Sequence, residues 1–399
     1  MKHRIRQQVA WTFLLSVVRP FLWLITGYTY KRAKTIQGPA ILMCNHNMDI
    51  DIGLMGLSYR QAMRVVASEH IFRLGILSSL VRLFFAPIVR MKGKTEIRTV
   101  REILNSIKKG GRVCIFPEGN RSFNGLTGEI TRASASLVKM AKCQLITYRI
   151  EGGYLKHPRW ARKGRHGRIF GHEVGRYSAA ELANMSTEEV LAIIRRDLNE
   201  DAYARQRETA YQYTGKNLAE SIEMALYLCP RCKKISTIRS RGDMLFCSCG
   251  LAMRYTPSGI IESANGEKAR FSTVTEWDQW QQNMTPKLTE RVKSGPITED
   301  AEISLFEVDP CKKEELIETG RLSMNSKELV CGSVMFPLQD ISDLAIVGPN
   351  TLVFETKSGG YFELRSKSAY SALKYRRIFL HCKSTAKGEC GVLQSVAQQ

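Results

Sequence analysis

The chain has no apolar run long enough to cross a bilayer. Its most hydrophobic stretch, Ala10 to Tyr28, is broken by Arg19-Pro20, and neither half reaches the roughly 20 residues that a spanning helix needs. No cleavable signal peptide is evident. The 11 cysteines are odd in number and unevenly spaced, which argues against a disulfide framework and for a reducing, cytoplasmic compartment. Acidic residues are scarce: 38 Asp and Glu stand against 59 Lys and Arg, a formal net charge of +21. The imbalance is local, since residues 1–170 carry about +22 and residues 171–399 about −1. A basic face suits nucleic acid, anionic lipid or acidic small substrates. Lys31-Arg32-Ala33-Lys34, or Lys156 to Arg168, would alone read as solvated loops. An excess spread over a whole domain, beside an apolar N-terminus, favours an anionic membrane surface.

Residues 1–30 open with Lys2, His3, Arg4 and Arg6 and then turn apolar, with Trp11, Phe13, Phe21, Trp23 and Tyr28 among them. Aromatic rings flanked by cations suit a membrane interface. Pro20 should end or kink the first helix. The expectation is a peripheral helical hairpin on the cytoplasmic leaflet; a buried helix pair packed on the domain is the alternative.

Two short motifs carry the chemistry. In Asn45-His46-Asn47-Met48-Asp49-Ile50-Asp51, an imidazole precedes a carboxylate by five residues. On one continuous helix these side chains would point about 140° apart. They meet only if His46 lies in a loop and Asp51 in the first turn of the next helix. A carboxylate on one ring nitrogen then fixes the tautomer and raises the basicity of the other, as a general base requires. Asp49 is a second nearby carboxylate, ranked below Asp51. About seventy residues on, Phe116-Pro117-Glu118-Gly119-Asn120-Arg121-Ser122 follows the strand Val113 to Phe116 and has the composition of an anion cradle.

His46-x4-Asp51 followed by Phe-Pro-Glu-Gly-x-Arg-Ser resembles the signature pair of the glycerophospholipid acyltransferases, which acylate glycerol-3-phosphate or lysophosphatidate. The resemblance implies that His46 takes the proton from an acceptor hydroxyl as it attacks an acyl thioester, and that Asp51 orients the imidazole. Arg121, with Asn120, Ser122 and Arg90, would bind the acceptor phosphate. Glu118 would brace the loop and contact the glycerol, and Gly119 would let the backbone approach. Arg90, with Lys92 beside it, stands where the family has a basic residue after an apolar strand. A lone arginine at a strand end is as often a plain surface residue. The family's fourth element, an apolar stretch with a proline, corresponds to Leu145-Ile146-Thr147-Tyr148-Arg149, which lacks the proline.

Apolar strands alternate with helices from Ile36 to about Arg205. Ala40–Met43, Val65–Ala67, Arg112–Phe116 and Gln144–Ile150 read as strands; Ile71–Phe85, Arg101–Lys109 and Ala133–Ala141 read as helices. This implies an α/β fold over residues 31–215, a mostly parallel sheet flanked by helices with both motifs at strand ends. Ser186-Thr187-Glu188-Glu189 has capping-box form and should open a helix through Leu198.

Cys229-Pro230-Arg231-Cys232 and Cys247-Ser248-Cys249-Gly250 bracket fourteen residues. Two close thiolate pairs with a hairpin between them offer four soft ligands for a structural Zn2+, and they leave no open position for catalysis. Residues 225–256 are therefore expected to form a zinc ribbon. Cys44, Cys114 and Cys143 lie in apolar runs and read as small core residues. Basic residues around the ribbon would suit nucleic acid, but the segment lacks interleaved aromatics.

Residues 259–383 begin with a helix, Thr275 to Met284, and continue as strands with turns at Asn325-Ser326, Pro349-Asn350 and Gly359-Gly360. A last helix, Ser368 to Leu380, closes a small, mostly antiparallel domain that resembles a pleckstrin-homology-like barrel. Residues 384–399 read as a disordered tail. The expected activity is acyl transfer from acyl-CoA or acyl-ACP, acyl carrier protein being one candidate partner, to 1-acylglycerol-3-phosphate. Glycerol-3-phosphate or another lysophospholipid is the alternative acceptor. A non-catalytic scaffold on the same fold is the reading from a different class.

Overall fold

The computed structural model describes residues 2–69, 87–90, 97–266, 268–292, 294–309 and 313–386. The chain divides into two compact units. Met1–Met91, Thr95–Leu218 and Thr256–Ile260 form one; Lys92–Lys94, Ala219–Tyr255 and Ile261–Gln399 form the other.

In the first unit α1 (Lys2–Thr26) leads into β1 (Tyr28–Tyr30), β2 (Ala40–Cys44), α2 (Asp51–Tyr59), β3 (Arg64–Ser68) and β4 (Ile88–Arg90). Then come α3 (Ile97–Lys108), β5 (Arg112–Ile115), α4 (Arg132–Ala141), β6 (Gln144–Glu151), α5 (Gly153–Lys156), β7 (Ile169–Tyr177), α6 (Ala179–Ala183), α7 (Thr187–Leu198) and α8 (Ala202–Thr209). The described strands form one sheet in the order β1-β7-β6-β2-β5-β3-β4. All neighbours are parallel except β6 and β7. β2 lies inside the sheet and is buried at all five positions, as a strand covered on both faces should be. Leu42 and Cys44 point to the side packed by Trp11 of α1 and by Leu54 and Met55 of α2. Ile41 and Met43 point to the side packed by Ile103, Leu137 and Ile194 of α3, α4 and α7. The capping box holds as expected: Ser186 Oγ accepts from the Glu189 N–H at 3.2 Å, and the Glu189 carboxylate accepts from the Ser186 N–H at 2.7 Å.

The N-terminus departs from expectation. Pro20 does not divide it into a hairpin, and α1 runs unbroken from Lys2 to Thr26. Proline removes one backbone hydrogen bond; packing Trp11, Leu15 and Leu22 along one face of α1 outweighs that loss. The opposite face leaves Val9, Phe13, Val17, Phe21 and Leu24 exposed. No helix among the described residues is long and apolar enough to cross a membrane. The expected helix Ile71 to Phe85, and Lys92, lie outside the described residues.

The second unit opens with a four-stranded antiparallel sheet of β8 (Ile238–Arg241), β9 (Met244–Cys247), β10 (Ala252–Tyr255) and β11 (Ile261–Ser263). α9 (Val274–Arg291) follows. It runs past the expected end at Met284 and carries Pro286 inside. Then come β12 (Thr298–Val308), β13 (Glu314–Met324), β14 (Glu328–Cys331), β15 (Val334–Pro337), β16 (Ile341–Val347), β17 (Thr351–Thr356), β18 (Tyr361–Arg365) and α10 (Ala372–Ala386). These strands are antiparallel in the order β15-β14-β13-β12-β18-β17-β16. The small antiparallel domain with a C-terminal helix is thus present. α10 continues to Ala386, beyond Ser384, where a disordered tail was expected; residues 387–399 lie outside the described residues.

Candidate active site

β2 ends at Cys44, and the chain loops through His46 before Asp51 opens α2. This offset lets the two side chains meet, with His46 Nδ1 3.0 Å from Asp51 Oδ2. Asp51 is fully buried, and the same oxygen accepts the backbone N–H groups of Asn47 and Met48 at 2.7 and 2.8 Å. Its other oxygen is buried without a partner among the described residues. A carboxylate at Nδ1 favours the tautomer protonated there, which would leave the lone pair on Nε2. The ring packs on Phe116, centroids 4.5 Å apart.

The second motif lies beside it, at the end of β5. Gly119 adopts φ +67°, and a side chain there would stand 3.5 Å from Arg90 Nη1, so the end of β4 reaches this loop. Arg121 is buried, with Nη1 3.3 Å from the carboxylate of exposed Asp49. The backbone carbonyl of Arg121 accepts from Arg159 Nη1 at 3.0 Å. Asn120 is half-buried on the same loop. Ser122 is placed differently from a ligand contact: its hydroxyl accepts from the Gly125 N–H at 2.9 Å, and its own N–H donates to the His46 carbonyl at 3.2 Å. Glu118 is turned inward as well. One oxygen accepts the His46 N–H at 2.7 Å and the other the Gly128 N–H at 2.6 Å. Burial pushes the Glu118 carboxyl up to about 8, against the two backbone hydrogen bonds that lower it. Burial, and then nearby Arg121, pull the His157 imidazole below its ordinary range.

Sequence reasoning missed Asn45, Asn47, Arg159 and Gly128. Asn45 and Asn47 flank His46 where a buried strand ends, and such amides commonly replace lost ladder bonds; Arg159 was hidden in a basic run that read as solvated loop. On β6, Tyr148 stands in the stretch that lacks the family's proline. Its hydroxyl meets those of Tyr28 at 2.7 Å and Ser58 at 2.5 Å, all in the core.

In the second unit the Sγ atoms of Cys229, Cys232, Cys247 and Cys249 all lie within 4.8 Å of one another, and the Cys229–Cys249 and Cys232–Cys247 pairs are each 3.7 Å apart. A tetrahedron with Zn–S bonds of about 2.3 Å has edges of about 3.8 Å. The donor set and spacing therefore fit Zn2+. Gly250, at φ +87°, turns the second knuckle, and its N–H donates to the Cys247 carbonyl at 3.0 Å.

Comparison with known proteins points the same way for the first unit. A family model described as Acyltransferase matches residues 25–151. A chloroplastic 1-acyl-sn-glycerol-3-phosphate acyltransferase of Arabidopsis thaliana is 27% identical over 97 residues, which is 24% of this chain and 27% of that protein. The chain thus spans little more than a quarter of that relative's length. Among solved structures, the 1-acyl-sn-glycerophosphate acyltransferase PlsC of Thermotoga maritima is similar with a TM-score of 0.39 and 16% identity, over 49% of this chain and 94% of that one. The N-terminal PH domain of human ARAP2 is similar over 27% of this chain and 92% of its own, with a TM-score of 0.18 and 16% identity. Both scores are below 0.5, so the architecture stands on the strand order itself. Both motifs and the match to the Acyltransferase family model fall on the one α/β sheet of the first unit, and in this stretch the chain is similar to the 1-acylglycerol-3-phosphate acyltransferases.

Proposed function

We propose that the protein transfers a fatty acyl group from a thioester, acyl-CoA or acyl-ACP, to the free hydroxyl of 1-acylglycerol-3-phosphate, giving phosphatidic acid. The observation that carries this reading is the 3.0 Å contact between His46 Nδ1 and a fully buried Asp51, at the end of a central strand and beside Arg121. His46 Nε2 takes the proton of the acceptor hydroxyl as its oxygen attacks the thioester carbonyl. The C–S bond breaks, and the leaving thiolate recovers the proton from the imidazolium. Asp51 holds the ring and stabilises its positive form. A thioester is already activated, so no enzyme nucleophile is required. Arg121, with Arg90 and the Gly119 backbone, receives the acceptor phosphate, which replaces Asp49 as the partner of the guanidinium.

The exposed stripe of α1, with the basic N-terminal residues before it, supports docking on an anionic membrane surface from the cytoplasmic side. The four-cysteine cluster suits a structural Zn2+, which would close the turns around Cys229 to Cys249. Metal analysis should find one zinc per chain, and well under one in the folded, intact protein would remove that assignment.

The activity is tested by offering the purified protein lysophosphatidate or glycerol-3-phosphate with acyl-CoA or acyl-ACP and weighing the products. Phosphatidic acid should form, and His46→Ala should abolish it. Acylation of glycerol-3-phosphate alone would move the acceptor assignment, and full activity of His46→Ala would remove the base.

A further inference from the structure

His46 sits in a loop, yet its backbone is held as firmly as a strand. Asn45 is 1% exposed. Its Oδ1 accepts the Ile150 N–H at 2.8 Å, and its Nδ2 donates to the Ile150 carbonyl, also at 2.8 Å. Asn47 Nδ2 donates to the same carbonyl at 3.2 Å. The paired register of β2 and β6 ends at Cys44 and Tyr148, so the Asn45 amide prolongs that ladder after the backbone has turned away. On the other side Glu118 takes the His46 N–H, and the Ser122 N–H takes the His46 carbonyl. β6 and the strand preceding Glu118, β5, are the two neighbours of β2 in the sheet.

We propose that Asn45 and Glu118 are positioning residues for the His46 base, pinning the peptides around it to the strands on either side of β2 so that the sheet aims Nε2. The inference rests on the acyl-transfer reading and gives Glu118 a backbone role in place of a glycerol contact. The chemistry at each position is specific. An amide offers one acceptor and one donor to a peptide that presents the complementary pair, whereas at 118 both partners are donors and each of the two carboxyl oxygens accepts from one of them. Asn45→Asp therefore sets oxygen against the Ile150 carbonyl. Glu118→Gln sets an amide NH2 against a backbone N–H. Neither changes the size of the side chain.

The test compares full-length wild type, Asn45→Asp, Glu118→Gln and Arg121→Ala with lysophosphatidate and acyl-CoA. The two positioning variants should lose about 10²-fold in kcat, with acceptor KM within about threefold; Arg121→Ala should instead raise KM. Should either variant fail to fold, Gly128→Ala disturbs the same clamp, because its Cβ would stand 3.1 Å from Glu118 Oε2. It should lower kcat in the same pattern. A raised acceptor KM with kcat preserved, or kinetics like wild type, would overturn the proposal. A second readout needs no turnover: ¹⁵N resonances of His46 should show one tautomer, protonated at Nδ1, in wild type and an averaged imidazole in the variants. If wild type forms no acylated product, the functional reading fails, and the tautomer still decides the positioning role. A single fixed tautomer in both variants would sink it.

Discussion

Just beyond the end of β2, Asp51 is buried against backbone N–H groups. In the second unit, Asp278 and Glu363 are buried, and Asp300 half-buried, against side-chain cations. Asp278 takes both arms of Arg377 at 2.7 Å, Asp300 pairs with Lys374, and Glu363 pairs with Arg365. Backbone dipoles stabilise a carboxylate without cancelling its charge, so under the proposed function Asp51 would keep a negative field for the imidazolium formed during acyl transfer. A full ion pair is already neutralised and has nothing left to offer a reaction. The Asp278–Arg377 and Asp300–Lys374 pairs serve instead to fix α10 against α9 and β12. The way a buried carboxylate is compensated thus separates a chemical site from a structural joint.

The sharpest test of that contrast exchanges the two kinds. Asp51→Asn keeps the size and an acceptor oxygen but removes the charge. It should reduce kcat by about 10²–10⁴-fold while denaturant midpoints move little, and retained activity would erase the distinction. Asp278→Ala should do the reverse. Stranding the half-buried Arg377 should cost up to about 3 kcal/mol in urea unfolding, and a loss under about 1 kcal/mol would show that the pair is not the joint between α9 and α10. Smaller again, Phe13→Ser and Phe21→Ser on the outer face of α1 should each weaken binding to anionic vesicles about tenfold and leave the unfolding midpoint in place. Cosedimentation equal to wild type would remove α1 from the membrane contact.

A last test concerns protons. Burial raises the folded-state value of Glu118 to about 8, with Asp51 adding to the shift, so between the ordinary carboxyl range and that value the folded chain binds more proton than the unfolded one. The stability from this group is full at low pH and is lost as pH rises toward 8. Chemical denaturation between pH 5 and 8 should show this decline in wild type and a flatter profile in Glu118→Gln. Identical profiles would refute it.

The meeting of His46 with Asp51 was legible because a five-residue offset has only one workable geometry, a loop followed by a helix start. The four cysteines were legible because thiolate pairs have few other uses. The inward turn of Glu118 and Ser122 was not, since a motif gives residue types and not which backbone groups lack partners. β7 escaped because it is half-buried along most of its length and antiparallel to its neighbour β6, so no alternation of strand and helix announces it. Pro20 misled because proline's local cost was weighed without the packing of Trp11 and Leu22, which only the folded chain displays.

That same helix has a practical consequence. Its inner face is committed: Trp11 lies so close to Gly56 of α2 that a Cβ there would fall 2.6 Å from the indole, and Leu22 rests on Gly53. Its outer residues cannot rotate inward to escape solvent. In plain buffer, copies of the protein should cover these faces with one another, so colloidal stability at high concentration should depend on detergent or lipid rather than on salt.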